Sequence, residues 1–241
     1  MNTACKAAQY GSAAEDENAF FRISCSKFER YEAGAQVFIA YGKYSNRQLL
    51  TNYGFALEKN VYNYARIQIK LGTMINFQQA EVLTGGFKID SGVLFKLKMH
   101  EFSLDLLKVV RSFMWTQDLS ANAFLHPSDY VQEIRVLQKF QQTLQNFYSA
   151  FKTTLEQDLE LLPSLSGKKY LAVLYRKGNK EIILQQIQYA QIAENFLTQV
   201  QSSSNFDVID QILESLPQNS KVCLIKSALL PYIQDLQEFY N

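Results

Sequence analysis

Residues 36–55 read QVFIAYGKYSNRQLLTNYGF, and the order of elements inside this stretch decides how the chain is read. VFIA has the β-branched and aromatic content of a short strand, and it runs straight into Tyr41-Gly42. The Ser45-Asn46 pair predicts the start of a brief helix. Tyr53-Gly54-Phe55 closes the segment, so that tyrosines and a phenylalanine gather around tight turns.

Upstream, FFRIS at 20–24 reads as a strand, with Asp16-Glu17-Asn18 as a hairpin tip before it and a Glu32-Ala33-Gly34 turn leading into QVFIA. Downstream, YARIQIKL at 64–71 alternates apolar and polar residues and stops at Gly72. From residue 73 the period changes from two to about 3.6. A short amphipathic helix is predicted over 73–84, ending at Gly85-Gly86, and the extended piece GVLFKLKM follows. Ser103 is a good N-cap for a helix through Trp115 that buries Leu104, Leu107, Val110, Phe113 and Met114. Pro127-Ser128-Asp129 opens the longest predicted helix, whose stripe of Tyr130, Ile134, Leu137, Leu144, Phe147 and Phe151 reads as packing.

Thr154 and Gln157 predict a capping box for a helix that stops at Pro163. Glu156, Asp158 and Glu160 read as solvated charges favoured by the helix dipole. Helices are expected over about 168–177 and 180–200, interrupted at Gly178-Asn179. A polar linker at Gln201–Ser204 precedes two last helices over about 206–215 and 220–239, the second containing Pro231, which should kink it. The Gln-rich stretches at 138–145 and 185–191 read as wet helix faces. The expected class is α+β and mostly α, a small β-rich part followed by helices.

Composition narrows the functional classes. The chain has 241 residues, 47% of them hydrophobic, enough for an ordinary core. With 24 basic and 23 acidic residues, no broad electrostatic footprint for nucleic acid or an anionic membrane exists, and neither partner is expected. Lys96-Leu97-Lys98 and Lys168-Lys169 read as solvated faces. No apolar run approaches the ~20 residues of a membrane span, and the first residues lack the apolar core of a secretory signal. A cytosolic or nuclear monomer is the expectation. Cys5, Cys25 and Cys223 are widely spaced and read as reduced thiols; with His100 and His126 isolated, no metal site is expected. His126, before Pro127, reads as a loop residue. No phosphate loop, dinucleotide fingerprint or nucleophile elbow is present.

Tyr41-Gly42, Ser45-Asn46, Leu49-Leu50 and Tyr53-Gly54-Phe55, in this order and spacing, resemble the C-terminal end of the SET methyltransferase domain, in the branch of the Rubisco lysine methyltransferase and the actin-histidine methyltransferase. NVYNYARIQIKLG resembles the strand that leaves that domain. FKTTLEQDLELL followed by KKYLAVLYRKGNKEIIL resembles the helical Rubisco-methyltransferase substrate-binding domain. The resemblance implies the C-terminal part of a SET domain over 1–60, a helical substrate-binding domain over 61–200 and a helical extension over 201–241. Departures accompany it. Thr3 stands where the family carries a histidine after the asparagine matched by Asn2, Ala35 replaces a glutamate, Asn63 an aspartate, and Tyr44 a residue often basic. The family's early Gly-x-Gly strand has no counterpart in these residues, and the N-terminal half of the enzyme is expected to be absent.

What the resemblance implies is an S-adenosylmethionine-dependent protein N-methyltransferase acting on a lysine or histidine side chain. Methyl transfer from a sulfonium is an in-line displacement that needs alignment and exclusion of water rather than acid–base machinery. By resemblance Tyr41 is the catalytic hydroxyl and touches the cofactor, Asn2 and Phe55 complete the cofactor contacts, and Tyr53 and Tyr44 flank the protein substrate. The alternative is a non-catalytic helical protein-binding module derived from such an enzyme.

Overall fold

The computed structural model describes residues 31–35, 42–69, 93–114, 125–127, 129–203, 208–216 and 222–240. The chain divides into two compact units, Met1–Tyr44 and Ser45–Asn241. Of the first, the described residues include a turn closed by the Ala35 N–H donating to Glu32 O at 3.0 Å. The strands expected at 20–24 and 36–40, the helix expected at 73–84 and the Gly85-Gly86 turn lie outside the described residues.

In the second unit, helix α1 (Asn46–Tyr53) precedes strands β1 (Tyr64–Ile69) and β2 (Val93–Lys98), which pair antiparallel with Ala65 opposite Leu97 and Ile67 opposite Phe95. These four side chains are buried, while their neighbours along the strand point outward, the period-2 pattern read from YARIQI and VLFKLK. Helices α2 (Leu104–Met114), α3 (Tyr130–Ser149), α4 (Leu155–Leu161), α5 (Gly167–Ser203), α6 (Val208–Glu214) and α7 (Val222–Tyr240) follow, with a 3₁₀ turn at Leu162–Ser164 containing Pro163. Asp129 caps α3 through the Gln132 N–H at 2.9 Å, and Thr154 and Gln157 form the expected capping box on α4.

The 37 residues of α5 form one continuous helix of about 55 Å, so the interruption expected at Gly178-Asn179 does not occur. A glycine inside a helix costs about 1 kcal/mol relative to alanine, too little to break a helix held from several sides. α5 contacts α1, both strands, α3, α4, α6 and α7, with its broadest interface on α3. α5 also runs through Ser203, where a linker was expected; there the exposed Ser202 and Ser203 hydroxyls donate back to Thr198 O and Gln199 O, each at 2.8 Å. Gln186, read as part of a wet face, is fully buried. Its Oε1 accepts from the Ser103 N–H at 3.0 Å, and its Nε2 donates to Lys98 O and Glu101 O at 2.9 and 2.6 Å, pinning the turn between β2 and α2.

Two buried ionic clusters fix neighbouring elements. Asp158, expected in solvent, is completely buried in α4. Lys180, equally buried on α5, donates to Asp158 Oδ2 at 2.6 Å, to Thr153 Oγ1 at 2.9 Å and to Thr154 O at 2.9 Å. Arg176 adds a second cation, its Nε donating to Asp158 Oδ2 at 2.9 Å. Burial alone would raise the Asp158 pKa; the hydrogen bonds from Arg176, Lys180 and Thr153 outweigh it and hold the carboxyl at about 2.

The other cluster joins α2, α3 and α7. Arg111 grips Glu133 with Nε to Oε2 at 2.9 Å and an Nη to Oε1 at 2.7 Å, and the Tyr232 hydroxyl donates to the same Oε1 at 3.0 Å. Nearby, the Phe102 ring meets Phe140, Tyr189 and Tyr232 edge-on, with centroids 5.4, 6.3 and 5.5 Å away. Arg111 explains why the buried face of α2 is Leu106, Leu107, Val109, Val110, Arg111 and Ser112. Leu104 and Phe113 are only partly buried and Met114 is exposed, a rotation from the face the apolar pattern alone predicts.

Removing one partner of a buried pair strands the other charge. Lys180→Ala is therefore expected to lower unfolding free energy by about 3–5 kcal/mol, measured by urea denaturation at neutral pH. The Asp158 carboxyl is depressed on folding, so its contribution is complete above the ordinary carboxylate range and disappears as pH falls from about 4 through about 2. Acid titration followed by circular dichroism is expected to show stability falling across that window, with a shallower dependence in Asp158→Asn.

Candidate functional site

The Ser45–Asn63 segment is built on carboxamides. Ser45 caps α1 through the Gln48 N–H, and Gln48 Oε1 accepts from the Ser45 N–H at 3.0 Å, a reciprocal capping box. Gly54 ends the helix in the left-handed conformation at φ 76°, its N–H donating to Leu50 O at 3.2 Å. The chain then reverses because Asn46, only 3% exposed, holds both backbone polar groups of Leu57. Its Nδ2 donates to Leu57 O at 2.8 Å and its Oδ1 accepts from the Leu57 N–H at 3.1 Å. Asn60 Nδ2 donates to the same Oδ1 at 2.9 Å, and Asn63 Oδ1 accepts from the Asn46 N–H at 3.1 Å. Segment 46–57 is thereby a closed loop carrying Tyr53 and Phe55 at its far end.

Of the residues selected from the sequence, Tyr53 and Phe55 come together, with ring centroids 6.3 Å apart and planes at 44°. Tyr53 is 41% exposed and Phe55 is half-buried. Tyr44 belongs to the first unit, where its ring lies beside Gly42; a Cβ added there would stand 3.4 Å from the ring edge. Asn2 and Tyr41 lie outside the described residues. The sequence reading missed Asn46 as the centre of the loop. The signal was present: asparagine is a poor helix former, and at the first helical position it calls for a partner elsewhere.

Beside this loop an open groove of about 760 Å³ lies between 58–63, the Met99-His100 turn and α5; Asn46, Asn60, Asn63, Lys177 and Glu181 are among its lining residues. Lys177 and Glu181 pair at 2.9 Å on the α5 wall, and Tyr170 donates its hydroxyl to Glu58 Oε1 at 2.5 Å. This hydrogen bond to a carboxylate raises the Tyr170 pKa. Leu57, Val61 and Tyr62 expose apolar surface on the Ser45–Asn63 segment. Mixed charge, amides and exposed apolar side chains are the combination found at protein–protein interfaces. His126, expected as a loop residue, pairs its Nδ1 with Asp235 Oδ1 at 3.0 Å. Among the described residues no cluster of three or more histidine, cysteine, aspartate or glutamate side chains could hold a metal ion, and no helix is long and apolar enough to cross a membrane.

Residues 79–183 match the family model described as Rubisco LSMT substrate-binding. Actin-histidine N-methyltransferase of Rattus norvegicus is 27% identical over 185 residues, covering 67% of this chain and 30% of that protein. The Dasypus novemcinctus protein of the same name is 26% identical over 232 residues, covering 85% and 39%. The chain thus spans about a third of the length of the curated relatives it matches. Among solved structures, the SET domain of LSMT bound to MeLysine and AdoHcy superposes with a TM-score of 0.54 at 18% identity, covering 80% of this chain and 48% of that one. That likeness bears on the fold.

The closed loop depends on one side chain. Asn46→Ala is expected to leave the Leu57 N–H and C=O without their partner and to lower stability by about 1–3 kcal/mol, read as a shift in the urea midpoint with an unchanged slope.

Proposed function

We propose that the chain, which carries a match to the Rubisco LSMT substrate-binding family and is similar to actin-histidine N-methyltransferases, belongs with the SET-domain protein methyltransferases of that branch and supplies the acceptor side of an S-adenosylmethionine-dependent protein N-methyltransferase. The acceptor is a lysine or histidine side chain of a protein. The observation that carries this reading is the continuity of two features in one compact unit: the Ser45–Leu57 loop, which holds Tyr53 and Phe55 together, and the helices that match the substrate-binding family.

The half-buried Phe55 ring beside Tyr53 offers the kind of aromatic face on which a purine or an alkylated nitrogen packs, so the described part of the site fits the proposed cofactor. Bound S-adenosylmethionine would supply an electrophilic methyl group on a sulfonium. The protein's part is to present a neutral nitrogen in line with that methyl and to keep water out. Tyr41 is assigned the hydroxyl whose oxygen dipole favours the polarised methyl in the transition state, with Asn2 and Phe55 as cofactor contacts. Tyr53 and Tyr44 flank the incoming side chain, and the helical domain docks the remainder of the protein substrate.

Replacing Tyr41 by phenylalanine at the gene's own locus tests the reading without changing the rest of the gene product. Loss of one electrostatic donor of this kind slows a reaction by about 10²–10³-fold. Mass spectrometry of methyl-lysine and methyl-histidine is therefore expected to find at least one protein site emptied. A methyl proteome identical to the parent's would overturn the proposal.

A further inference from the structure

Gly178 sits inside α5 where a Cβ would stand 3.0 Å from Asn63 Nδ2, tighter than nine in ten real Cβ contacts, so the carboxamide would have to give by a few tenths of an ångström. The other end of that carboxamide accepts from the Asn46 N–H at 3.1 Å, and Asn46 in turn grips Leu57 through both of its backbone groups. The contacts run in series: Asn63 lies against α5 at Gly178, its Oδ1 holds the start of α1, and Asn46 holds the end of the loop that carries Tyr53 and Phe55. Both asparagines are buried, at 8% and 3% exposure, so water is a poor substitute at either.

We propose that Asn63 is a positioning residue that fixes the Tyr53–Gly54–Phe55 turn relative to α5, with Gly178 providing the space it needs. Its functional meaning rests on the reading of that turn as the acceptor side of a methyltransferase; its geometry does not. The N–H groups of a first helical turn have no partner within the helix. Ser45 serves the one on Gln48, and Asn63, arriving from 17 residues away, serves the one on Asn46. The glycine is intelligible on the same basis. Alanine would suit the helix better by about 1 kcal/mol, but its methyl would push against the carboxamide on which α1 depends. Because the atom that matters is an acceptor, aspartate can replace Asn63 in this role and the similarly sized leucine cannot.

Hydrogen–deuterium exchange with mass spectrometry on the full 241-residue chain tests this with Gly178→Ala, Asn63→Leu and Asn63→Asp beside the parent. Amides of 46–57 are expected to exchange about tenfold faster or more in Gly178→Ala and Asn63→Leu. In Asn63→Asp they stay within about twofold of the parent, and in all variants α3 and α7 exchange as in the parent. Unchanged exchange of 46–57 in either of the first two variants overturns the proposal. So does acceleration spread equally over α3 and α7, which would mean general loosening, or an aspartate variant as fast as the leucine one. The exchange measurement needs no methyl transfer, so its failure and the failure of the Tyr41→Phe test are separate results.

Discussion

Burial of α5 along most of its length is the constraint on which the second unit depends. Val173, Leu174, Ile182, Ile183, Tyr189, Phe196 and Val200 all lie in the interior, spread around the helix rather than along one stripe. A helix apolar on several faces has to be covered on several faces. The strand pair, α3, α4, α6 and α7 are the cover, and α1 reaches the site loop to it. Gln185 Oε1 is enclosed on α5 with no hydrogen-bond partner among the described residues, whereas three other polar side chains there are answered: Lys180 by Asp158 and two threonine oxygens, Gln186 by the turn at 98–103, and Asn179 by Tyr175 O at 3.0 Å. With those partners the cost of enclosing them is met by hydrogen bonds already on the structure.

Regular elements were legible wherever a residue's own neighbours determine its state. The Ser45, Thr154 and Asp129 caps, the two alternating strands and the long apolar stripe of α3 all follow from spacing, because capping and amphipathicity are local. Asp158 shows where that stops. In sequence it stands between Glu156 and Glu160 in the first turns of a helix, and its two cations come from a helix that begins nine residues later. Gly178-Asn179 reads as a break for the same reason: the contact that justifies the glycine is with Asn63, which spacing along the helix cannot reveal. Arg111 likewise turns α2 so that a charged residue points inward, a choice made by Glu133 and Tyr232 and invisible to hydropathy.

The candidate site was legible by a different route. The ordered tyrosine, glycine and asparagine positions of 41–55 carried the family, and the match over 79–183 supports it independently. By resemblance the motif assigned Tyr53 to the substrate and Phe55 to the cofactor, while the geometry added the asparagines that tie the segment carrying them together. Residues that touch a substrate leave a pattern of types; residues that hold those in place leave only a pattern of contacts. Asn46 looks in sequence like an ordinary helix start, and four hydrogen bonds make it the clasp of the loop.

The triad of Arg111, Glu133 and Tyr232 also carries information about how the protein comes into being. Its members are separated by 22 and 99 positions, and a ribosome releases them in that order. Until Tyr232 emerges, the Phe102 ring and the guanidinium–carboxylate pair have no lid from α7, and a nascent chain in that condition exposes the apolar surface that chaperones bind. A premature stop codon upstream of residue 232 would make that passing condition permanent, removing the roof over a charged pair rather than trimming a dispensable tail.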